Sequence, residues 1–411
     1  MPTNHDKTIL QNLAAQLAEI AALPVQEEKR ELWRKLNALQ PERPMVMIDQ
    51  VCWHEMNVND ELTLLCEDAE CRQLETVLRR ILYQWKHFRV DMVVEPFIRI
   101  PKAINGMTLG LKVEEETAIL DPNNDVISHY YENQFVTDAD LDKIKEPIIT
   151  HDAAETARRL EVAHEVFDGI LAVRAEGADP YLSLWDPIST WMGVEPAMMA
   201  MIEKPDYIHE LLERMTTAYL SMLDQLEEQG LLCGPQSLIH CTGAYTTELP
   251  KPGYDPAKPR TQDRWMFGLA QMLGSVSPRM FKTFEVDYAS RICERFGLVY
   301  YGCCDPLHDR MQYVRMIPNV RKVSMSPWVK EDVGAEQIHG DFVYSRKPNP
   351  AHVAMDAFNP DLIRETLTYT RDLCAQYNTT LELILKDIST VRYEPQRLTQ
   401  WAQIAMEVVG G

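Results

Sequence analysis

The second half of the chain repeats one arrangement: a short apolar run, a polar turn and then an amphipathic helix. Such a succession is typical of parallel βαβ units, in which buried strands alternate with helices that cover the sheet. The apolar runs predict strands at residues 181–185, 237–241, 298–301, 322–326, 342–345 and 381–385. The intervening periodicity predicts helices at 205–229, from Ser277 to Gly297, at 360–377 and at 394–409.

The first hundred residues are organised differently. Apolar positions spaced three and four apart predict two helices in residues 1–40, the second of them after Pro24. The run at 43–49 (RPMVMID) predicts the first buried strand, and residues 68–85 and 89–100 predict a helix followed by strand-like sequence. We therefore expect a single (β/α)8 TIM barrel over residues 41–411, preceded by an N-terminal helical extension over 1–40.

Composition and charge narrow the classes of function. The chain has 411 residues, of which 45% are hydrophobic, and a formal net charge of -21. An acidic surface of this kind repels nucleic acid and anionic membranes, so we expect neither as a partner. No apolar run approaches the roughly 18 residues of a membrane span, and residues 1–7 do not look like a signal peptide, so a cytoplasmic location is expected. The nine cysteines then predict free thiols.

The most informative stretch is residues 300–308 (YYGCCDPLH), at the end of a predicted strand. It brings two thiols and an imidazole close together, and zinc prefers these ligands. Cys303, Cys304 and His308 are therefore candidate metal ligands. The spacing matches no strong zinc signature, so the alternative stays open that a cysteine here is only a small buried residue.

Other polar residues follow the remaining strands, whose carboxyl ends meet on one face of a barrel. Candidate catalytic residues are Asp186, His240 and Asp387. Each of them could instead have a purely structural role, as the cap of a turn or as a packed or ion-paired side chain. Candidate substrate-binding residues are Trp185, Tyr301, Arg346, Lys347 and Asn349. The basic residues among them stand in an acidic protein and favour an anion nearby, although a surface loop that balances local acids would look the same.

Residues 180–409 resemble the uroporphyrinogen decarboxylase-like superfamily, in particular its branch of cobamide-dependent methyltransferases. The resemblance is carried by 191–195 (WMGVE) with 204–206 (KPD) and their long helix, by 276–281 (VSPRMF), and by the last strand with its terminal helix. It implies a TIM barrel and a corrinoid carried by a partner protein. It also implies zinc held by a His-x-Cys pair and a late cysteine.

This chain departs from that ligand set. Cys304 matches the cysteine of the pair, but Gly302 stands at the histidine position, and the late cysteine position falls near Lys386 and Asp387. Either His308, His240 or Asp387 completes a rearranged site, or the metal has been lost.

The leading hypothesis is transfer of a methyl group between a small substrate, such as a methoxylated aromatic compound, and a corrinoid protein. An alternative enzyme is a decarboxylase or lyase in which Arg346, Lys347 and Arg392 hold carboxylates. A third hypothesis is a barrel that binds a ligand or a corrinoid protein without turnover. Barrels of this family often dimerise, which makes a homodimer an expectation.

Overall fold

The computed structural model describes residues 2–119 and 127–410. Its helices are α1 (Asn4–Ala21), α2 (Pro24–Asn37), α3 (Ala69–His87), α4 (Ala153–Phe167), α5 (Trp185–Met192), α6 (Val194–Glu203), α7 (Pro205–Glu228), α8 (Pro278–Phe281), α9 (Asp287–Cys293), α10 (Met311–Val314), α11 (Glu331–Ile338), α12 (Ala351–Ala354), α13 (Pro360–Gln376) and α14 (Gln396–Val409). Its strands are β1 (Met45–Ile48), β2 (Phe97–Pro101), β3 (Ile104–Asn105), β4 (Glu115–Ala118), β5 (Ser128–Tyr131), β6 (Thr150–His151), β7 (Ala172–Glu176), β8 (Leu238–Ile239), β9 (Thr242–Gly243), β10 (Trp265–Gly268), β11 (Leu298–Tyr301), β12 (Val320–Met325), β13 (Val343–Arg346) and β14 (Thr380–Leu385).

Six strands form one parallel sheet in the order β1-β14-β13-β12-β11-β10. The chain therefore has an α/β fold with a parallel sheet and covering helices. The sequence-predicted strands at 43–49, 298–301, 322–326, 342–345 and 381–385 are confirmed, with ends that shift by one or two residues. Closure of this sheet into an eight-stranded barrel stays a prediction.

The two faces of the sheet differ in chemistry because side chains alternate along a strand. One face packs against the helices in a large apolar core. The opposite face, which we call the inner face, carries Tyr300, Lys322, Ser345, Glu382 and Lys386. Neighbouring strands place Tyr300 beside Lys322 and Ser345 beside Glu382. The inner face therefore carries buried polar groups beside apolar side chains such as Met47 and Ile384.

An ion pair lies at the centre of the inner face. Lys322 Nζ is 2.7 Å from Glu382 Oε2, and neither side chain is exposed. The same ammonium donates to Thr242 Oγ1 and to the Gly243 carbonyl, both at 3.1 Å. These contacts attach the β8–β9 hairpin to the inner face.

The predicted strand at 237–241 is wrong as a member of the parallel sheet. Residues 238–239 pair antiparallel with 242–243, and His240 and Cys241 form the two-residue turn between them. The sequence could not show this, because a strand of a parallel sheet and one arm of a buried hairpin give the same short apolar run.

The predicted strand at 181–185 is also wrong. Leu182 makes a single parallel bridge to Gly268, and Trp185 already begins helix α5. Pro187 lies in the first turn of that helix, where a missing backbone N–H costs nothing. Asp186 is therefore a helix residue and does not follow a strand.

The two N-terminal helices pack in two different apolar cores. Helix α1 shares a second apolar core with α3, α4 and strand β2. Helix α2 places Trp33 against Gly243, where an added Cβ would lie only 2.4 Å from the indole ring. Trp33 also donates its Nε1 hydrogen to the Asp91 carbonyl at 3.0 Å. Among residues 2–119 and 127–410, no helix is both long and apolar enough to cross a bilayer.

Candidate active site

A polar cluster surrounds the ammonium of Lys386 at the carboxyl end of β14. Lys386 Nζ lies 3.1 Å from Cys303 Sγ, 3.2 Å from His240 Nε2 and 3.2 Å from Asp387 Oδ2. Cys304 extends the cluster, since its Sγ is 3.6 Å from Cys303 Sγ and 3.7 Å from Asp387 Oδ2. These five residues are called the Lys386 cluster below.

Three separate elements supply the Lys386 cluster. Cys303 follows β11 through Gly302, whose φ of +93° gives the left-handed bend that favours glycine. The Cys303 backbone is then held on both sides, because its N–H donates to Asp305 Oδ2 and its carbonyl accepts from Ser324 Oγ. Lys386 and Asp387 follow β14, and Asp387 also has a positive φ of 56°.

His240 reaches the cluster from the tip of the β8–β9 hairpin. Its φ is +38° and that of Cys241 is +70°, values that a two-residue hairpin turn needs but that non-glycine residues adopt only at a cost of about 1–3 kcal/mol. The imidazole stacks on Phe267 with ring centroids 3.7 Å apart. A strained turn with a fixed ring is typical of a position selected for its side chain.

The groups of the cluster shift one another's pKa values. The pKa of Cys303 is well below its usual value, first because Cys304 donates a hydrogen bond to it and then because His240 and Lys386 lie close. The pKa of Cys304 is raised in turn by that bond to Cys303. Burial lowers the pKa of His240, which leaves the imidazole neutral and able to accept a hydrogen bond from Lys386. We infer a thiolate at Cys303 beside an ammonium at Lys386.

A second lysine lies beneath the cluster on the inner face. Lys347 Nζ donates to Ser345 Oγ at 2.7 Å and to the hydroxyl of Tyr300. Its side chain is almost fully buried, and burial lowers its pKa to about 7. Lys347 therefore belongs to the inner face rather than to a surface loop, and at neutral pH a large fraction of it is uncharged.

Three carboxyl groups lie behind the Cys303 loop. Burial raises the pKa of Asp305 to about 7 and that of Glu285 to about 8, and it also raises the pKa of Asp186. Tyr301 donates its hydroxyl hydrogen to Glu285 Oε1 at 2.9 Å. Glu285 is thus a neutral acid at pH 7, held by a tyrosine in the helix layer.

Replacing Glu285 with glutamine should change how stability depends on pH. Because the folded-state pKa of about 8 exceeds the ordinary value of 4.5, wild-type stability is fully present below pH 4.5 and is lost as pH rises through 8. Between pH 5 and 8 we expect the wild type to lose roughly 3 kcal/mol that Glu285→Gln retains. Urea unfolding at four pH values measures this, and parallel pH profiles for the two proteins would contradict the buried neutral acid.

Several sequence-predicted site residues lie away from the Lys386 cluster. Tyr301 and Arg346 point to the helix face, where Tyr301 bonds Glu285 and Arg346 pairs with Glu331 at 2.5 Å. Trp185 is fully buried and donates to the Phe284 carbonyl.

Two more predicted residues have local roles. Asn349 Oδ1 accepts the backbone N–H of Ala351, at the start of α12. His308 lies in a short 3-10 helix, close to the charges of Asp309 and Lys330, and its buried Nδ1 has no hydrogen-bond partner in the described part of the chain. No contact joins it to Cys303 or Cys304 there. The structure thus brings together His240, Cys303, Cys304 and Asp387, with Asp186 and Lys347 nearby.

Lys386 is the functional candidate that the sequence analysis did not select. A usable signal was present, because Glu382, Ile384 and Lys386 share one face of β14 by strand alternation. Placing Glu382 on the inner face would have placed Lys386 there as well.

The Lys386 cluster does not fit zinc as its side chains stand. Bonds from zinc to sulfur, nitrogen or oxygen are about 2.0–2.3 Å, whereas the three donors lie 3.1–3.2 Å from an ammonium nitrogen. In residues 2–119 and 127–410, no group of three or more histidine, cysteine, aspartate or glutamate side chains is arranged to hold a metal ion. We therefore derive no chemical step through zinc.

A cavity lies beside strand β1, and none of the five residues of the Lys386 cluster lines it. It has a volume of about 470 Å³ and is lined in part by Asp49, whose backbone N–H donates to the Leu385 carbonyl next to Lys386. It continues past Leu238 and between β2 and α3, where leucine, isoleucine and valine side chains line it. Its size and mainly apolar lining are typical of a pocket for a small organic molecule.

Comparison with known proteins leaves the function open. No protein-family model and no curated protein matches the sequence. Among solved structures, the chain is similar to a methyltransferase from Methanosarcina mazei, with 12% sequence identity and a TM-score of 0.49 over 92% of this chain and 97% of that chain. A likeness at this level carries no argument about activity, so the proposal below rests on the site.

Proposed function

We propose that this chain is a corrinoid-dependent methyltransferase of the uroporphyrinogen decarboxylase-like superfamily. It would move a methyl group between a small methoxylated aromatic compound and the corrinoid of a partner protein. The observation that carries the proposal is the Lys386 cluster, where a lysine amine, a cysteine sulfur and an imidazole nitrogen meet at the carboxyl end of a parallel sheet. In α/β barrels this end is where active sites lie.

The proposal includes a barrel. Beyond β10, parallel bridges join Leu182 to Gly268 and Ala178 to Leu232, and β2 pairs parallel with β7. In the proposed barrel, these pairings would continue the direction of the six-stranded sheet around the inner face. We take them as the remaining, less regular part of a (β/α)8 wall.

In the demethylation direction, the residues of the cluster would stabilise the leaving oxygen. The methyl carbon-oxygen bond breaks and its electron pair stays on oxygen, which leaves as a phenolate and takes a proton from water. A corrinoid carried by the partner protein would accept the methyl group and would supply both electrons of the new bond. Lys386 would donate a hydrogen bond to the oxygen as its negative charge develops, which lowers the energy of the transition state.

Asp387 marks the side from which the substrate would enter. Its side chain is half exposed, whereas Lys386 is only 2% exposed. The Asp387 carboxylate is therefore the partner of Lys386 that an incoming oxygen can displace. Cys303 and His240 would hold the ammonium in place during that exchange.

The cavity beside β1 that Asp49 lines in part supports an aromatic substrate. Its apolar side chains from α3 and β2 would contact the ring, and the methoxyl group would then point toward Lys386. Burial of the ring would exclude water from the reacting oxygen, which strengthens the interaction with the ammonium.

The structure gives less support to the decarboxylase alternative. That hypothesis has Arg346, Lys347 and Arg392 hold substrate carboxylates, and of these only Lys347 lies on the inner face. Arg346 is paired with Glu331 and Arg392 with Asp356, both at 2.5 Å. We therefore keep methyl transfer as the proposed activity.

A spectroscopic assay tests the proposal. The purified chain is mixed with a reduced corrinoid protein and a panel of methoxylated aromatic compounds, and corrinoid methylation is followed by absorbance. We expect methylation with at least one donor, a strong loss in Cys303→Ala, and little change in Cys374→Ala, a matched variant at a buried cysteine of α13. Equal rates with and without the chain for every donor would contradict the proposal.

A further inference from the structure

The side chains of the Lys386 cluster are of the types that bind metal ions, but they surround an amine nitrogen at hydrogen-bond distance. A thiol sulfur, an imidazole nitrogen and a carboxylate oxygen all lie within 3.2 Å of Lys386 Nζ. They come from three elements that are distant in sequence, at positions 303, 240 and 387. Such convergence on one point is what a cation site requires.

The spacing of the outer atoms is also close to that of a zinc site. Two sulfur atoms bound to one tetrahedral zinc ion lie about 3.8 Å apart, given zinc-sulfur bonds of about 2.3 Å. Cys303 Sγ and Cys304 Sγ are 3.6 Å apart. The separation of 3.7 Å between Cys304 Sγ and Asp387 Oδ2 is similar. The thiols are thus near a zinc-compatible distance from each other, while the point between the donors is filled by nitrogen.

Lys386 cannot readily vacate that position. Its side chain points to the inner face because it continues the alternation of β14, and it is 2% exposed. The neighbouring Lys347 and the hairpin turn at His240 and Cys241 occupy the adjacent space. A metal ion would have to displace a buried ammonium from three hydrogen-bonding partners, and the two cations would repel each other.

We propose that the Lys386 ammonium permanently takes the place of a metal ion in this site, so that the cluster works without zinc. The ammonium would provide the positive charge, and Cys303, His240 and Asp387 would hold it as they would hold a metal. The inference concerns metal binding, so it stands or falls separately from the methyltransferase proposal.

The proposal predicts that removing the amine opens a metal site. In Lys386→Ala, the donors of Cys303, Cys304, His240 and Asp387 would face an empty position. The three that now lie 3.1–3.2 Å from the amine nitrogen could move inward to bind an ion there. We expect this variant to bind one zinc ion per chain, whereas the wild type binds none above background. The double variant Lys386→Ala/Cys303→Ala should lose the site again, because one sulfur ligand is gone.

Equilibrium dialysis against Zn²⁺, followed by elemental mass spectrometry, measures all three proteins. Cobalt(II) used as a probe adds a second readout, since a thiolate-to-cobalt absorption band should arise in Lys386→Ala alone. Circular dichroism checks that each variant is folded. One zinc per wild-type chain, lost in Cys303→Ala, would overturn the proposal, and this arm does not depend on the folding of Lys386→Ala. Absence of metal from a folded Lys386→Ala would overturn it as well.

Discussion

Replacing Lys386 with methionine is expected to lower the rate of methyl transfer by roughly 10³-fold, the effect of removing a strong buried donor from a developing oxyanion. Methionine has nearly the same length but carries no charge, so the shape of the site is kept while the ammonium is lost. Because the interaction with oxygen strengthens in the transition state, kcat should fall much more than KM rises. Steady-state kinetics with a single methyl donor separates the two parameters.

The matched control is Lys386→Arg, which keeps the positive charge and its hydrogen bonds with an altered geometry. We expect it to recover part of the activity that Lys386→Met loses. Equal activities of Lys386→Met and the wild type would show that the ammonium is only structural. Equal losses in the arginine and methionine variants would show that charge is not what matters.

Replacing Lys322 with methionine is expected to destabilise the fold by about 3–5 kcal/mol, because the variant leaves the carboxylate of Glu382 buried without its partner. Glu382 Oε1 already has no hydrogen-bond partner in the described residues, so Oε2 depends on Lys322 and Thr242 alone. The change also removes the hydrogen bond that the Lys322 ammonium donates to the Gly243 carbonyl. Urea unfolding followed by tryptophan fluorescence gives the free energy of unfolding.

The double variant Lys322→Met/Glu382→Leu removes both charges and is the matched control. We expect it to regain most of the lost stability, since two apolar side chains can replace a buried ion pair at little cost. If the double variant were no more stable than Lys322→Met, loss of packing rather than an unpaired charge would explain the effect. If Lys322→Met were as stable as the wild type, the ion pair would make no contribution to the free energy of unfolding.

The strands could be predicted from the sequence where the local pattern and the final structure agree. The strand at 298–301 is a continuous apolar run and that at 381–385 is apolar except for Glu382, because both of their faces are covered. The run at 181–185 is similar, but its last residue, Trp185, already begins helix α5, which continues through Asp186 and Pro187. Pro187 favours the first turn of a helix, so the sequence contained a signal for a helix rather than a strand at this point.

The candidate site could be predicted only in part. Cys303 and Cys304 were identifiable because the sequence itself brings two thiols to a strand end. Which of two neighbouring residues faces the inner side was not identifiable. Tyr301 was therefore selected where the structure has Tyr300 on the inner face, and Arg346 was selected together with Lys347 although only Lys347 lies there. A shift of one residue reverses the direction of every side chain in a strand.

The role of Lys386 could not be predicted from local sequence, because it depends on contacts across long separations. Its partner His240 is 146 residues away and Cys303 is 83 residues away. Moreover, His240 reaches Lys386 only because residues 238–243 form a hairpin inside the sheet. Secondary-structure propensity and hydrophobic periodicity depend on residues that are close along the chain. They contain no information about contacts between residues that are far apart in sequence.

The central claim is methyl transfer at the Lys386 cluster, and the most direct test follows an isotopic label. A donor carrying a ¹³C-methoxyl group is incubated with the chain and a reduced corrinoid protein, and the label is located by mass spectrometry and NMR. We expect the labelled methyl group on the corrinoid, one demethylated product for each transfer, and both at a rate roughly 10³-fold lower with Lys386→Met. Label that remains in the donor, together with carbon dioxide release that needs no corrinoid, would contradict the account and establish decarboxylation.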